Sequence, residues 1–427
     1  MTGTEELMIY RNFEDGRIFE DMVWILDHYE EEEADLLREM YYETAHGLID
    51  MAGNYGFAGN LWHNYLTYLL VNHENVFSTA CEIVGKVDGT INELAKHDFE
   101  IFRELYRFDF QKLDEKLDVS GMQYLRAYVN CGTGKQFNER IRDRIDMLTK
   151  ELEASGSVEE FMAHMVHFYK EFGVGKLGLH KAFRIVHNEE GVKIVPITRI
   201  AHVCLEDLVG YENAKQKLID NTEAFIKGKR ANNCLLFGDA GTGKSSSIKA
   251  ILNKYYDQGL RVIEVYKHQF QDLNEVIAQV KNRNYKFIIY MDDLSFEDFE
   301  IEYKYLKAVI EGGLERKPDN ILIYATSNRR HLVREKFSDK EDRRDDLHSS
   351  DTVQEKLSLV NRFGVQIFFC APSKKEFQNI VKTLAEKNHV VMEEDELLLE
   401  ANKWELSHGG LSGRTAQQFV DYLLGKM

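Results

Sequence analysis

Proline is nearly missing from this chain, with 3 among 427 residues, and glycine numbers only 29. That scarcity excludes proline-rich spacers, collagen-like repeats and low-complexity disorder as the main theme. Cysteine is equally sparse. The five, Cys81, Cys131, Cys204, Cys234 and Cys370, are odd in number and widely scattered, which fits neither a disulfide framework nor a zinc site. Small buried apolar positions are the expectation for them. No apolar run approaches the roughly 18 residues needed to span a bilayer. The opening stretch MTGTEELMIY has neither the basic start nor the apolar core of a signal peptide. A cytoplasmic protein with no membrane partner is expected.

What is present is ample apolar material, 44% hydrophobic and 11% aromatic residues. At roughly 100 to 200 residues per domain, that length predicts two or three domains, each able to bury a core. The net charge of −18 is unevenly spread, with −15 of it in residues 1–200. So acidic a first half repels phosphate backbones and disfavours nucleic acid as its partner, while a local basic patch in the second half stays open.

Residues 1–180 predict helix after helix. Phe19, Met22, Val23, Leu26 and Tyr29, then Leu36, Leu37, Met40 and Tyr41, recur at three- and four-residue spacing and so share helical faces. The acidic run Glu30 to Glu33 between them is expected to be a solvated helix face. Similar patterns recur near 60–84, 90–117, 137–153 and 157–172. His164 and His167 sit one turn apart, flanked by Glu160 and Glu171, but a single straight helix cannot wrap four ligands around one ion. Cys131 to Lys135 (CGTGK) imitates the end of a phosphate loop, yet Val129 stands where the first glycine belongs and Gln136 where a hydroxyl belongs. Residues 182–197 change character: two β-rich runs flank Asn188-Glu189-Glu190-Gly191, a hairpin signal ended by Pro196. The expected divisions are an acidic helical domain over 1–180, a hairpin linker over 181–204, an α/β core over 205–372 and a helical lid over 373–427.

From Cys234 onward strands alternate with helices, the signature of a mostly parallel sheet covered on both faces. The runs are Cys234 to Phe237, Val262 to Val265, Phe287 to Met291, Ile321 to Ala325 and Val365 to Phe369. The first leads directly into Gly238-Asp239-Ala240-Gly241-Thr242-Gly243-Lys244-Ser245, a full G-x-x-x-x-G-K-S/T phosphate loop. Its glycines let the backbone curl so that successive N–H groups point at a phosphate, and the following helix from Ser246 adds its positive end. Lys244 would reach the β- and γ-phosphates of ATP, and the Ser245 hydroxyl would ligate Mg²⁺. The third run ends in Asp292 and Asp293. Paired acids at the carboxyl end of a buried strand cost desolvation unless a cation or a reaction uses them. Asp292 is the second expected metal ligand. Asp293 stands where such ATPases usually carry Glu to orient the attacking water, and its shorter side chain predicts slow hydrolysis.

Residues 204–427 resemble an AAA+ ATPase module, and more narrowly the bacterial group catalogued as domain of unknown function 815. The residues behind this are Leu208-Val209-Gly210-Tyr211, the phosphate loop, Asp292-Asp293-Leu294-Ser295-Phe296, Thr326-Ser327-Asn328, Arg362-Phe363-Gly364 and Ser412-Gly413-Arg414. The resemblance implies an AAA+ sheet with a C-terminal helical lid. It also implies an adenine-side contact at Val209 and Gly210, and phosphate contacts along Gly238 to Ser246. Asn328 matches the sensor-1 position, Arg414 the sensor-2 arginine, and Arg362 the place of an arginine finger acting on a neighbouring subunit. An arginine before a core strand equally makes a structural salt bridge, and Arg329, Arg330, Arg343 and Arg344 compete for the finger. Tyr266-Lys267-His268 has an aromatic but no following glycine, so a threading pore loop is not demonstrated.

The function these expectations support is Mg²⁺-dependent ATP hydrolysis in a homo-oligomer, coupled to conformational change or to remodelling of a protein client. Two alternatives remain beside it: a slow nucleotide-gated switch or adaptor, and a nucleic-acid remodeller of helicase-loader kind contacting its substrate through Arg329-Arg330 and Arg343-Arg344.

Overall fold

The computed structural model describes residues 2–30, 34–130, 138–188, 191–198, 200–296, 302–311, 318–329, 332 and 359–426. The chain folds as two compact units, Met1–His180 and Lys181–Met427. Glu31 to Glu33, the Cys131 to Lys135 string, and Arg330, Arg343 and Arg344 lie outside the described residues.

The first unit is built from α1 (Arg17–His28), α2 (Ala34–Tyr55), α3 (Leu61–Asn72), α4 (Val76–Val84), α5 (Thr90–Arg107), α6 (Phe110–Leu117), α7 (Gly121–Arg126), α8 (Glu139–Ala154), α9 (Val158–Phe172) and α10 (Gly175–Leu179). Asn60, Asn75, Asp109, Asn138 and Ser157 each accept a first-turn N–H as N-caps, which satisfies donors that a helix start otherwise leaves orphaned. Helix α3 is buried from Leu61 through Val71, so it forms the centre around which the amphipathic helices pack. Its Thr67 hydroxyl meets Tyr106 at 2.6 Å and Thr149 at 2.7 Å. Asp98, fully buried, accepts the backbone N–H groups of Met8, Ile9 and Tyr10. His164 faces Glu151 on α8 at 3.4 Å, and Glu160 accepts the Gly156 N–H.

The second unit carries a seven-stranded sheet in the order β2-β1-β4-β5-β6-β3-β7. The strands are β1 (Ala182–Asn188), β2 (Gly191–Pro196), β3 (Cys234–Gly238), β4 (Leu260–Glu264), β5 (Lys286–Met291), β6 (Ile321–Ser327) and β7 (Val365–Phe369). β3 through β7 each overlap one of the five expected runs, β4 starting two residues earlier and β6 ending two residues later. β1 and β2 pair antiparallel, and every other pairing is parallel. β6 is buried at every residue, as a central parallel strand covered on both faces must be.

Within residues 181–204, read as a hairpin linker, the hairpin forms and belongs to the sheet. β1 joins the sheet by pairing Ala182 with Val262 and Arg184 with Glu264. Phe183, Ile185 and Val192 are buried, so the hairpin extends this sheet. Its outer edge is blocked: Glu275 accepts the Val192 N–H, Gln279 donates to the Val192 carbonyl, and Pro196 has no N–H to offer. A fragment of residues 1–180 is therefore expected to be soluble and to unfold cooperatively. A fragment of 1–200 should aggregate more, because it exposes Phe183 and Ile185 without their sheet. Denaturant melts and light scattering check this; a molten 1–180 fragment would disprove the first unit's independence.

Around the sheet lie α11 (Glu212–Ile226), α12 (Lys244–Tyr255), α13 (Leu273–Val280) and α14 (Glu302–Glu311). The lid follows as α15 (Lys374–Lys387), α16 (Glu394–Ser407) and α17 (Gly413–Leu424). The lid begins at a capping box, Ser373 and Glu376 each accepting the other's backbone N–H. Phe377, Val381, Ala401, Ala416 and Val420 form its own small core. The cysteines divide: Cys81 and Cys234 are buried as expected, whereas Cys370 is exposed and Cys204 half-buried. Cys370 follows the last residue of β7, where the chain leaves the sheet, so position and not side-chain character decides its exposure. Among the described residues no helix is long and apolar enough to cross a membrane.

Candidate functional site

The site grows from the carboxyl end of β3. That strand lies between β6 and β7, where the strand order reverses, and a crevice opens at such a switch point in an open parallel sheet. Gly238 leaves the strand at φ 134°, and a Cβ there would stand 2.0 Å from the Phe369 carbonyl oxygen. Only glycine lets the loop pass so close to β7. Gly241 at φ 76° packs its backbone against Ser412 and Arg414 of the lid, so the loop's curl and the lid's position are set together. Helix α12 starts directly at Lys244, aiming its unpaired N–H groups into the crevice.

A cleft of about 750 Å³ opens there. Ala240 to Ser246, Asp292, Asp293, Asn328 and Arg414 line it, together with Val209 and Tyr211. Lys244 is 6% exposed and donates from Nζ to the carbonyls of Gly238 (2.9 Å) and Asp239 (2.6 Å). Burial lowers its ammonium pKa, an effect that the carboxylates of Asp239, Asp293 and Asp292 oppose.

The two acids differ in what their carboxylates meet. Oδ1 of Asp292 accepts hydrogen bonds from the hydroxyls of Ser245 (2.7 Å), Tyr290 (2.7 Å) and Thr326 (2.5 Å). Burial is the largest single influence on Asp292 and opposes its ionisation. The Ser245, Thr326 and Tyr290 hydrogen bonds together outweigh it and hold the carboxyl below the usual carboxylate range. Asp293 has φ 49°, the left-handed region that a non-glycine residue seldom adopts. Its N–H donates to Thr326 Oγ1 at 2.9 Å, and its Oδ1 accepts from Asn328 Nδ2 at 2.7 Å. Hard oxygen donors from Ser245 and an ionised Asp292, 2.7 Å apart, suit Mg²⁺.

The lid reaches the loop through α17. Ser412 caps that helix, and the Arg414 N–H donates to the Gly241 carbonyl at 3.2 Å. On the apolar side of the cleft, Val203, Leu208 and Val209 precede α11, while Ile380 and Leu384 come from α15. The segment before α11 is fixed by the buried Lys215, whose Nζ holds the Leu208 carbonyl at 2.7 Å. Tyr211, left-handed at φ 60°, donates its hydroxyl to the Cys370 carbonyl and packs on Phe369.

Four expected site residues lie off the cleft lining. Gly238 sits behind it and offers its carbonyl to Lys244. Asp239 turns away to accept the Ala371 N–H at 2.6 Å. Gly210, at φ 83°, lines a neighbouring hollow with Tyr211 and Phe368. Arg362 forms an ion pair with Glu311 at the end of α14. Sequence reasoning missed Tyr290, Thr326, His202, Gln417 and Gln418, of which the first two clamp Asp292 and the others line the cleft. For Tyr290 and Thr326 the signal was a polar side chain near the end of an apolar strand.

A parallel core with its phosphate loop at the carboxyl end of β3, and a helical lid whose Arg414 N–H meets that loop, make the fold of an AAA+ P-loop module. The chain belongs to the family described as protein of unknown function DUF815, whose profile matches residues 178–427. That match begins four residues before β1 and so includes the whole hairpin. An AAA-ATPase of Arabidopsis thaliana is 36% identical over 104 residues, 22% of this chain and 21% of that protein. The replication factor C large subunit of Staphylothermus marinus is 33% identical over 73 residues, 17% of this chain and 16% of that one. The chain thus matches only a minor part of either relative. Among solved structures, the Thermotoga maritima RuvB Holliday junction branch migration motor shares 16% identity at TM-score 0.36, over 51% of this chain and 63% of that one. The FIGL-1 AAA domain in complex with ADP shares 15% identity at TM-score 0.36, over 53% and 75%.

Proposed function

We propose that this chain binds ATP with Mg²⁺ and hydrolyses it, coupling turnover to movement of the lid against the core and thereby to remodelling of a protein client. The observation that carries this is convergence: Lys244, Ser245 and the two acids from the core meet Arg414 from the lid around one cleft. Backbone N–H groups of the loop and the start of α12 bind the phosphates, and Lys244 neutralises their charge. Ser245 and Asp292 would hold Mg²⁺, which supplies charge neutralisation on the phosphate oxygens. Asp293, oriented by Asn328, positions the attacking water. Arg414 senses the γ-phosphate and transmits its loss to α17. Arg362 acts on a neighbouring subunit's nucleotide in a homo-oligomer.

Separate substitutions test the division of labour within the acidic pair. Asp292→Ala is expected to weaken Mg²⁺-dependent ATP binding. Asp293→Asn is expected to keep binding and lose hydrolysis by on the order of 10²-fold, the usual contribution of a group that orients or deprotonates water. Calorimetry and phosphate release measure the two. Wild-type turnover in Asp293→Asn would move the water-orienting role elsewhere. One observation favours the second reading, a slow nucleotide-gated switch: Asp293 is a methylene shorter than Glu and is held by Asn328. Tight ATP binding with a low steady-state rate in the wild type is its signature.

A further inference from the structure

The two acids of the site have a common neighbour. Thr326, on β6 and 1% exposed, places a single hydroxyl oxygen between them. Its Oγ1 receives the Asp293 N–H at 2.9 Å and lies 2.5 Å from Asp292 Oδ1. The direction of the chain is forced. Asp292 ionised can only accept, and the Asp293 N–H can only donate, so the one hydroxyl proton must point at Asp292. The order is therefore Asp293 N–H to Thr326 Oγ1–H to Asp292 Oδ1. Each bond of such a chain polarises the next, and the last one ends on a charge.

The backbone supports the same link. The Leu294 N–H donates to the Thr326 carbonyl at 2.7 Å, so the peptide groups on both sides of Asp293 are tied to one residue. Those ties hold Asp293 at φ 49°, a conformation that costs free energy unless its surroundings impose it. In that conformation Asp293 Oδ1 meets Asn328, two residues beyond Thr326 on the same chain segment.

From this we infer that Thr326 is a positioning residue that couples the metal-holding carboxylate to the water-orienting one, so that both are set by one hydroxyl. The inference rests on the ATP and Mg²⁺ reading of the cleft and deepens it. Tyr290 differs in kind: its hydroxyl donates to Asp292 and neighbours the hydroxyls of Ser245 and Thr326. Thr326 touches no phosphate in this reading; it acts through the two acids.

Thr326→Val removes the hydroxyl and keeps the branched shape that a strand favours. The probe is ATP itself, titrated calorimetrically into the full chain with excess Mg²⁺ and again with chelator. The affinity in chelator should stay at the wild-type value. The Mg²⁺-dependent gain in affinity should fall by on the order of tenfold, the worth of one hydrogen bond to a charged group. Thr326→Ser restores the hydroxyl and should restore the gain. A merely structural role would lower affinity equally with and without Mg²⁺ and would leave their ratio unchanged. Should Thr326→Val fail to fold by circular dichroism, Thr326→Ala gives the same comparison against Thr326→Ser. An unaltered Mg²⁺-dependent gain in the hydroxyl-free variant, or a serine variant as impaired as it, overturns the coupling while wild-type binding leaves the nucleotide reading intact. A wild type that binds no ATP overturns both.

Discussion

Lys244→Ala is expected to abolish detectable ATP binding and turnover while leaving the fold in place. Lys244 is the phosphate loop's cationic side chain, and its ammonium already bridges the carbonyls of Gly238 and Asp239. A hydrogen bond to a charged group is worth about 1.5 to 3 kcal/mol, so losing two to the β- and γ-phosphates should cost on the order of 10²-fold or more in affinity. The fold has less to lose. Lysine and alanine differ little in helix propensity, and burying the ammonium is unfavourable to it, as its lowered pKa shows. Of the two carbonyls it leaves, that of Asp239 belongs to an exposed residue, where water can replace the ammonium. Calorimetry with ATP, phosphate release and thermal unfolding followed by circular dichroism measure the three quantities. Wild-type affinity and turnover in a folded mutant would remove the phosphate loop from the site.

That loop was legible because phosphate chemistry would force its composition: glycine where the backbone approaches β7, lysine and serine where charge and a metal would sit. The five core strands were legible for a related reason. A strand buried on both faces must be apolar at nearly every position, and β3, β5 and β6 are. The lid's start was marked by a local capping box. What the sequence did not reveal depends on pairing between distant segments. Thr326 reaches Asp292 only because β5 and β6 align Met291 with Ala325. The hairpin belongs to the sheet only because Ala182 meets Val262. No local periodicity encodes either register. The left-handed turn at Asp293 was hidden too, since aspartate there reads as one more strand-end acid.

The arginine finger offers the other large effect. Arg362 precedes β7, whereas the phosphate loop adjoins the far end of that strand, with Gly238 beside Phe369. Four steps from Val365 to Phe369, at about 3.3 Å each, carry the chain more than 13 Å away. A side chain starting before Val365 cannot reach its own loop. If Arg362 acts on a phosphate, that phosphate belongs to another subunit. Turnover per subunit should therefore rise with protein concentration, and Arg362→Ala should bind ATP almost normally yet hydrolyse it on the order of 10³-fold more slowly. Mixing Arg362→Ala with Lys244→Ala should restore activity, because one supplies an intact loop and the other an intact arginine at a shared interface. The ion pair with Glu311 sets the competing expectation. The two side chains are 22% and 42% exposed, and a partly exposed pair of this kind is worth about 1 kcal/mol or less. A structural arginine would thus shift the melting temperature slightly, and Glu311→Gln would shift it by the same amount with turnover untouched. The two roles differ by three orders of magnitude in rate. Turnover independent of concentration where light scattering shows only monomer, together with no rescue in the mixture, would make Arg362 structural and end the case for shared catalysis.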